Sequence, residues 1–168
     1  MTDKKETLIQ WLRDAHAMEE QAETMLKAQA ARLENYPDLK DQIEDHIRET
    51  QGHAQLVRAC IERLGSDTSS LKDTAGKFTA AMQGLSGMFA GDEVVKGAIA
   101  SYTFEYFEIG AYTALIAAAK EAGDAQTAET CSTILEEEQS MADWLEEQLP
   151  QITKKYLSLE EAGAQAKR

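Results

Sequence analysis

The stretch Leu12-Arg-Asp-Ala-His-Ala-Met-Glu-Glu-Gln-Ala-Glu-Thr-Met-Leu26 sets a glutamate in the middle of an apolar helical stripe. At about 100° per residue, Leu8, Leu12, Ala15, Ala22, Leu26, Ala30 and Leu33 all project within roughly 60° of Glu19, so Glu19 faces the core. Two further helices repeat the pattern. Val94, Ala98, Ile109, Tyr112, Ile116 and Ala119 lie within roughly 40° of Glu105, and Cys131, Ile134, Leu135, Ala142, Leu145 and Leu149 within roughly 60° of Glu138. On the remaining helix Leu39, Leu56, Val57, Cys60 and Leu64 mark the apolar centre, with His46 and His53 near its middle and Glu49 about 60° to one side.

The heights of these positions make them chemical. The midpoint between Glu19 and Glu49 is residue 34, beside the turn signal Asn35-Tyr36-Pro37-Asp38. The midpoint between Glu105 and Glu138 falls beside Gly123-Asp124, a helix stop followed by a helix cap. In two antiparallel hairpins each pair therefore faces across, roughly 22 to 25 Å from its turn, near mid-height. All four carboxylates converge on one level.

Working outward, the first helix is expected from Thr2 or Asp3 to before Asn35, and the second from about Asp38 to Leu64 with Gly65 as its stop. After the polar Ser66-Asp67-Thr68-Ser69-Ser70, the residues Leu71, Ala75, Phe78, Met82, Leu85 and Phe89 recur at helical spacing, with Gly76, Gly84 and Gly87 suggesting a break or bend. This crossover, residues 65–91, is long enough to climb the bundle, so the second and third bundle helices run parallel. Asp92 is expected to cap the third bundle helix, which runs to about Ala122. The fourth spans Asp124 to Leu149, Pro150 ends or restarts it, and a short terminal helix follows at about 150–162. Residues from Gly163 should fray. The expected fold is an all-α, ferritin-like antiparallel four-helix bundle, a single domain over residues 1–168.

Composition narrows the function. With two prolines and ten glycines in 168 residues and no strand-like alternation, the chain reads as all-helical. A net charge of -13 argues against nucleic acid or an anionic membrane as partner and would draw cations. No stretch approaches a membrane span and the amino terminus has no apolar signal core, so a cytoplasmic protein is expected. Cys60 and Cys131 form no C-x-x-C motif and fall on inward faces, which reads as buried thiols. No phosphate loop, hydrolase triad or basic patch stands out.

Unpartnered buried carboxylates cost several kcal/mol each or take up protons. No lysine or arginine lies at the centre of the stripes, whereas two divalent cations would offset four carboxylates and use oxygen and imidazole ligands that suit iron or manganese. A dinuclear metal site is the reading that follows; protonated or groove-exposed glutamates are the structural alternative. Glu108, one turn from Glu105, offers a second carboxylate on the same side. His46, one turn before Glu49, and His53, one turn after it, are each candidate ligands. His16 is less central, and Glu23 is an alternate ligand or an outer carboxylate. Glu20, Glu136 and Glu137 project toward solvent. Tyr112, two turns from Glu105 on the same side, is where a phenol could hydrogen-bond to a metal-bound oxygen species.

The stretches Leu12 to Gln21, His46-Ile-Arg-Glu-Thr50, Phe104-Glu-Tyr-Phe-Glu-Ile-Gly-Ala-Tyr112 and Leu135-Glu-Glu-Glu-Gln139 resemble the YciE/YciF family of bacterial ferritin-like stress proteins. The resemblance spans nearly the whole chain, with the motifs in order around one long crossover. It implies a rubrerythrin-like dinuclear centre, a homodimer and an association with stress responses. Carried over, the ligands are Glu19, Glu49 with a histidine, Glu105, Glu108 and Glu138. Ferritin-like centres usually carry Glu-x-x-His on two helices, but here Gly52 and Met141 stand in the histidine positions. His46 or His53 must substitute, and one full and one weak metal site would also fit. Two divalent ions, iron foremost with manganese or zinc as alternatives, would react with peroxide or dioxygen in a di-iron peroxidase or ferroxidase-type activity. The competing reading is a non-catalytic stress-induced structural or interaction protein, its bundle stabilised by metal or by protonated carboxylates.

Overall fold

A computed structural model describes residues 3–86 and 93–168. Among the described residues five helices follow one another: α1 (Lys4–Arg32), α2 (Pro37–Arg63), α3 (Leu71–Ser86), α4 (Val94–Glu121) and α5 (Ala125–Glu161). The fold is an all-α bundle of α1, α2, α4 and α5, with α3 laid against α1. Among the described residues no helix is long and apolar enough to cross a membrane.

Local chemistry sets the ends. Asp3 caps α1 by accepting from the Lys5 amide, Pro37 opens α2 where its missing N–H costs nothing, and Asp124 caps α5 by accepting from the Thr127 amide. Gly65 and Gly123 turn the chain out of α2 and α4 with φ of 78° and 75°, a region where other side chains are strained. Thr2 and Asp92, expected at helix starts, lie outside the described residues, as do Gly87 and Phe89. α4 is instead preceded by Glu93 at its cap position, without a side-chain capping bond.

Ion pairs between helix ends show the directions. Lys4 at the start of α1 meets Glu121 at the end of α4 (2.7 Å), and Arg63 at the end of α2 meets Asp124 before α5 (2.6 Å). Both pairs run antiparallel, so α2 and α4 are parallel, as the long crossover requires. α3 runs unbroken from Leu71 to Ser86 through Gly76 and Gly84, where a break or bend is expected from the sequence. Its seat on α1, with Thr79 donating to Gln21 (3.1 Å), supports what glycine propensity weakens.

Two expectations need correction at the carboxyl end. α5 continues through Pro150 to Glu161, so the short terminal helix is the distal part of α5. An interior proline costs about 3 kcal/mol, but burial of Ile152 and Tyr156 beyond it offsets that at about 1.5 to 3 kcal/mol per large side chain. The tail after Gly163 is also docked. The Asn35 amide donates to the Arg168 carbonyl (3.0 Å), the Tyr36 hydroxyl to the Ala166 carbonyl (2.7 Å), and Ala166 is buried.

The core divides into two apolar layers. One contains Leu8, Leu12, Ile61, Leu115, Cys131 and Ile134; the other contains Leu26, Ile43, Ala98, Met141, Leu145 and Ile152. Cys60 and Cys131 are free, buried thiols in the first layer. Between the layers, at mid-height, lies a band of buried charge.

Candidate metal centre

Each bundle helix delivers to this band from the middle of its apolar stripe. Glu19 comes from α1, His46 and His53 from α2, Glu105 and Glu108 from α4 and Glu138 from α5, and all six are at most 2% exposed. Ligand atoms of His46, Glu105, Glu108 and Glu138 lie within 4.8 Å of one another, and so do those of Glu19, His53 and Glu138. Glu138 belongs to both groups. Its Oε2 is 3.3 Å from His46 Nε2 and its Oε1 is 2.9 Å from His53 Nδ1. His46 Nε2 is also 3.3 Å from Glu105 Oε1, and His53 Nδ1 is 3.6 Å from Glu19 Oε2.

The donor set fits a pair of divalent cations. Among the buried atoms that lack a hydrogen-bond partner are Glu19 Oε2, His46 Nε2, His53 Nδ1, Glu105 Oε2, Glu108 Oε1 and both oxygens of Glu138. Buried polar atoms normally find partners, so seven orphans facing one another call for a shared one. Oxygen and imidazole nitrogen are the ligands that iron, manganese and zinc accept.

The electrostatics of the same groups agree. Burial pushes Glu105 up to about 8 despite the neighbouring His46, and pushes Glu108 well above the carboxyl range, helped by the charges of Glu138, Glu19 and Glu105. Burial likewise raises Glu19 against the pull of His53. For the histidines burial acts downward, but the surrounding carboxylates outweigh it and hold His46 up at about 12 and His53 at about 10. Glu138, opposed by burial but gripped by both histidines, falls to about 2. With four buried carboxylates and two histidines, the cluster is short of positive charge and favours bound protons.

Glu49 is placed differently from the sequence expectation. Its side chain is 46% exposed, and its Oε2 accepts from His46 Nδ1 at 2.8 Å. An offset of about 60° from the stripe is enough to carry a side chain to the edge of the seam between helices. Glu19 consequently faces His53 across the hairpin. Glu137, read from the sequence as a solvent-facing charge, instead accepts from His53 Nε2 at 2.5 Å while remaining 44% exposed. Helical periodicity has no cue for this, because the bond crosses from α5 to α2. The Tyr112 hydroxyl donates to Glu19 Oε1. Glu23 stays outside the cluster, accepting from Gln51 and Lys27, and His16 sits 3.9 Å from Glu20, apart from both groups.

A family described as a domain of unknown function, DUF892, matches residues 3–158. The structure of a protein from Xanthomonas campestris pv. campestris is 38% identical over 94% of this chain and 99% of that one, with a TM-score of 0.78. YcfI, a candidate structural protein from Rhodopseudomonas palustris, is 23% identical over 87% of this chain and 94% of its own, with a TM-score of 0.70. The stress protein YciF of E. coli is 21% identical over 89% and 96% respectively, also at 0.70. At those two identities the likeness speaks for the fold alone.

Proposed function

Because the chain belongs to the DUF892 family, whose description leaves function open, we propose from the site itself that it is a ferritin-like dinuclear metal-carboxylate protein of the bacterial stress response. The observation that carries the reading is Glu138, buried and shared between two ligand groups drawn from four helices. Four residues, His46, Glu105, Glu108 and Glu138, would hold one ion; three, Glu19, His53 and Glu138, would hold the other less firmly. Bound iron would supply reactivity toward hydrogen peroxide or dioxygen, detoxifying the oxidant or oxidising ferrous iron. The chain's part is to hold the ligands rigidly between two apolar layers, to exclude bulk water, and to fix Glu19 through the Tyr112 hydroxyl. The physiological setting is taken from the resemblance of the sequence motifs to the YciE/YciF stress proteins.

Metal content by mass spectrometry, on protein purified anaerobically with iron, tests the site. Wild type should carry near two ions per chain, Glu19→Ala near one and Glu138→Ala near none. Near zero throughout would overturn the proposal. Peroxide turnover by the loaded protein no faster than by free iron would remove the enzymatic part alone.

A second reading rests on the two histidines, which as imidazolium ions already offset two carboxylates. On that reading the protein is a structural or interaction component whose cluster merely stabilises the bundle. Glu19→Ala with Glu138→Ala would then shift the melting temperature and leave any oxidant-dependent activity unchanged.

A further inference from the structure

The two histidines turn opposite edges to the cluster. His46 directs Nε2 toward Glu105 and Glu138, whereas His53 directs Nδ1 toward Glu138 and Glu19. Seven residues along a helix is about 10.5 Å, yet the ring centroids are 6.5 Å apart and edge-on. The rings lean together so that one far nitrogen and one near nitrogen meet at Glu138.

The other nitrogen of each ring reaches a carboxylate outside the cluster. His46 Nδ1 lies 2.8 Å from Glu49 Oε2, and His53 Nε2 lies 2.5 Å from Glu137 Oε2. An ionised carboxylate only accepts, so each must be met by an N–H. When a cation displaces the inner proton, the imidazole keeps its one N–H on the outer nitrogen and its lone pair is left on the inner one. Glu49 and Glu137 are both half-exposed, on the far side of their rings from the cluster, one from α2 and one from α5.

We propose that Glu49 and Glu137 are positioning residues that make His46 present Nε2 and His53 present Nδ1, so that the two metal positions share Glu138 but bind through different histidine nitrogens. The inference rests on the dinuclear centre proposed above. It assigns a role to two carboxylates that are not themselves ligands in this arrangement, one of which shows no sequence signal. Outer carboxylates on ligating histidines orient the ring and raise its basicity, and their loss typically weakens metal affinity about 10- to 100-fold.

The test uses the full-length protein labelled with 15N-histidine and loaded with zinc, read by long-range 1H–15N correlation and by zinc titration. In wild type, His46 should be bound through Nε2 and His53 through Nδ1. Glu137→Ala should scramble His53 alone and weaken one of the two zinc ions about 10- to 100-fold, with Glu49→Ala doing the same to His46. Glu137→Gln should keep the wild-type pattern, since the amide oxygen still accepts, and the exposed Glu136→Ala should be silent. Binding of both histidines through the same nitrogen, or unchanged spectra and affinity in both alanine variants, overturns the inference while leaving the metal centre standing. Absence of zinc from wild type overturns both.

Discussion

Glu138 touches both histidines and Glu19 touches one, so the cluster's protonation governs stability before any ion arrives. Glu19, Glu105 and Glu108 have folded pKa values above the ordinary carboxyl value, and His46 and His53 lie above the ordinary imidazole value. A group raised on folding stabilises below its unfolded pKa, and that contribution is lost as pH rises through the folded one. For Glu105 the window runs from 4.5 to about 8, and the histidines add in the same direction above 6.5. Glu138, lowered to about 2, acts in the opposite direction but only below 4.5. The melting temperature in chelator should therefore fall between pH 5 and pH 8, and the increment from added zinc should grow over the same range because ions replace protons. A melting temperature that is flat or rising in chelator would contradict this protonation pattern.

At the scale of elements, helix ends written in short-range chemistry were legible and long-range docking was not. Asp3, Pro37, Gly65 and Asp124 act within a few residues of themselves, so their meaning survives in isolation. Pro150 was misleading because its local cost is outweighed by Ile152 and Tyr156 packing in the layer that also holds Leu33, Tyr36 and Leu39. The docked tail is of the same kind, since its partners Asn35 and Tyr36 lie 130 residues away. Tyr36→Phe should cost about 1 kcal/mol, the net worth of a buried hydrogen bond whose acceptor is left alone. Urea denaturation checks it. A change below a few tenths would mean the tail does not depend on this bond.

For the whole molecule, the two hairpins bring opposite faces of four helices to one level and leave α4 with an unusual exterior. Between Gly97 and Ala119 its only charged residues are Glu105 and Glu108, both turned inward. Tyr106, Phe107 and the neighbouring Trp11 are 48%, 46% and 43% exposed. On a chain of net charge -13, this uncharged face is where two copies would meet with least repulsion. Homodimers are expected in light scattering coupled to size exclusion, and Phe107→Asp should yield monomers with unchanged helicity. A monomeric wild type would refute that use of the face.

Sequence alone determined the helical class, the four-bundle order with its crossover, and four inward carboxylate positions, Glu19, Glu105, Glu108 and Glu138, because helical periodicity and turn chemistry are local. It also marked His46 and His53 as candidates without choosing between them. Only the tertiary structure decided that both histidines enter, that Glu49 stands outside and that Glu137 joins from α5. Those outcomes depend on how two helices distant in sequence meet side by side, and a contact across a seam has no period along a chain.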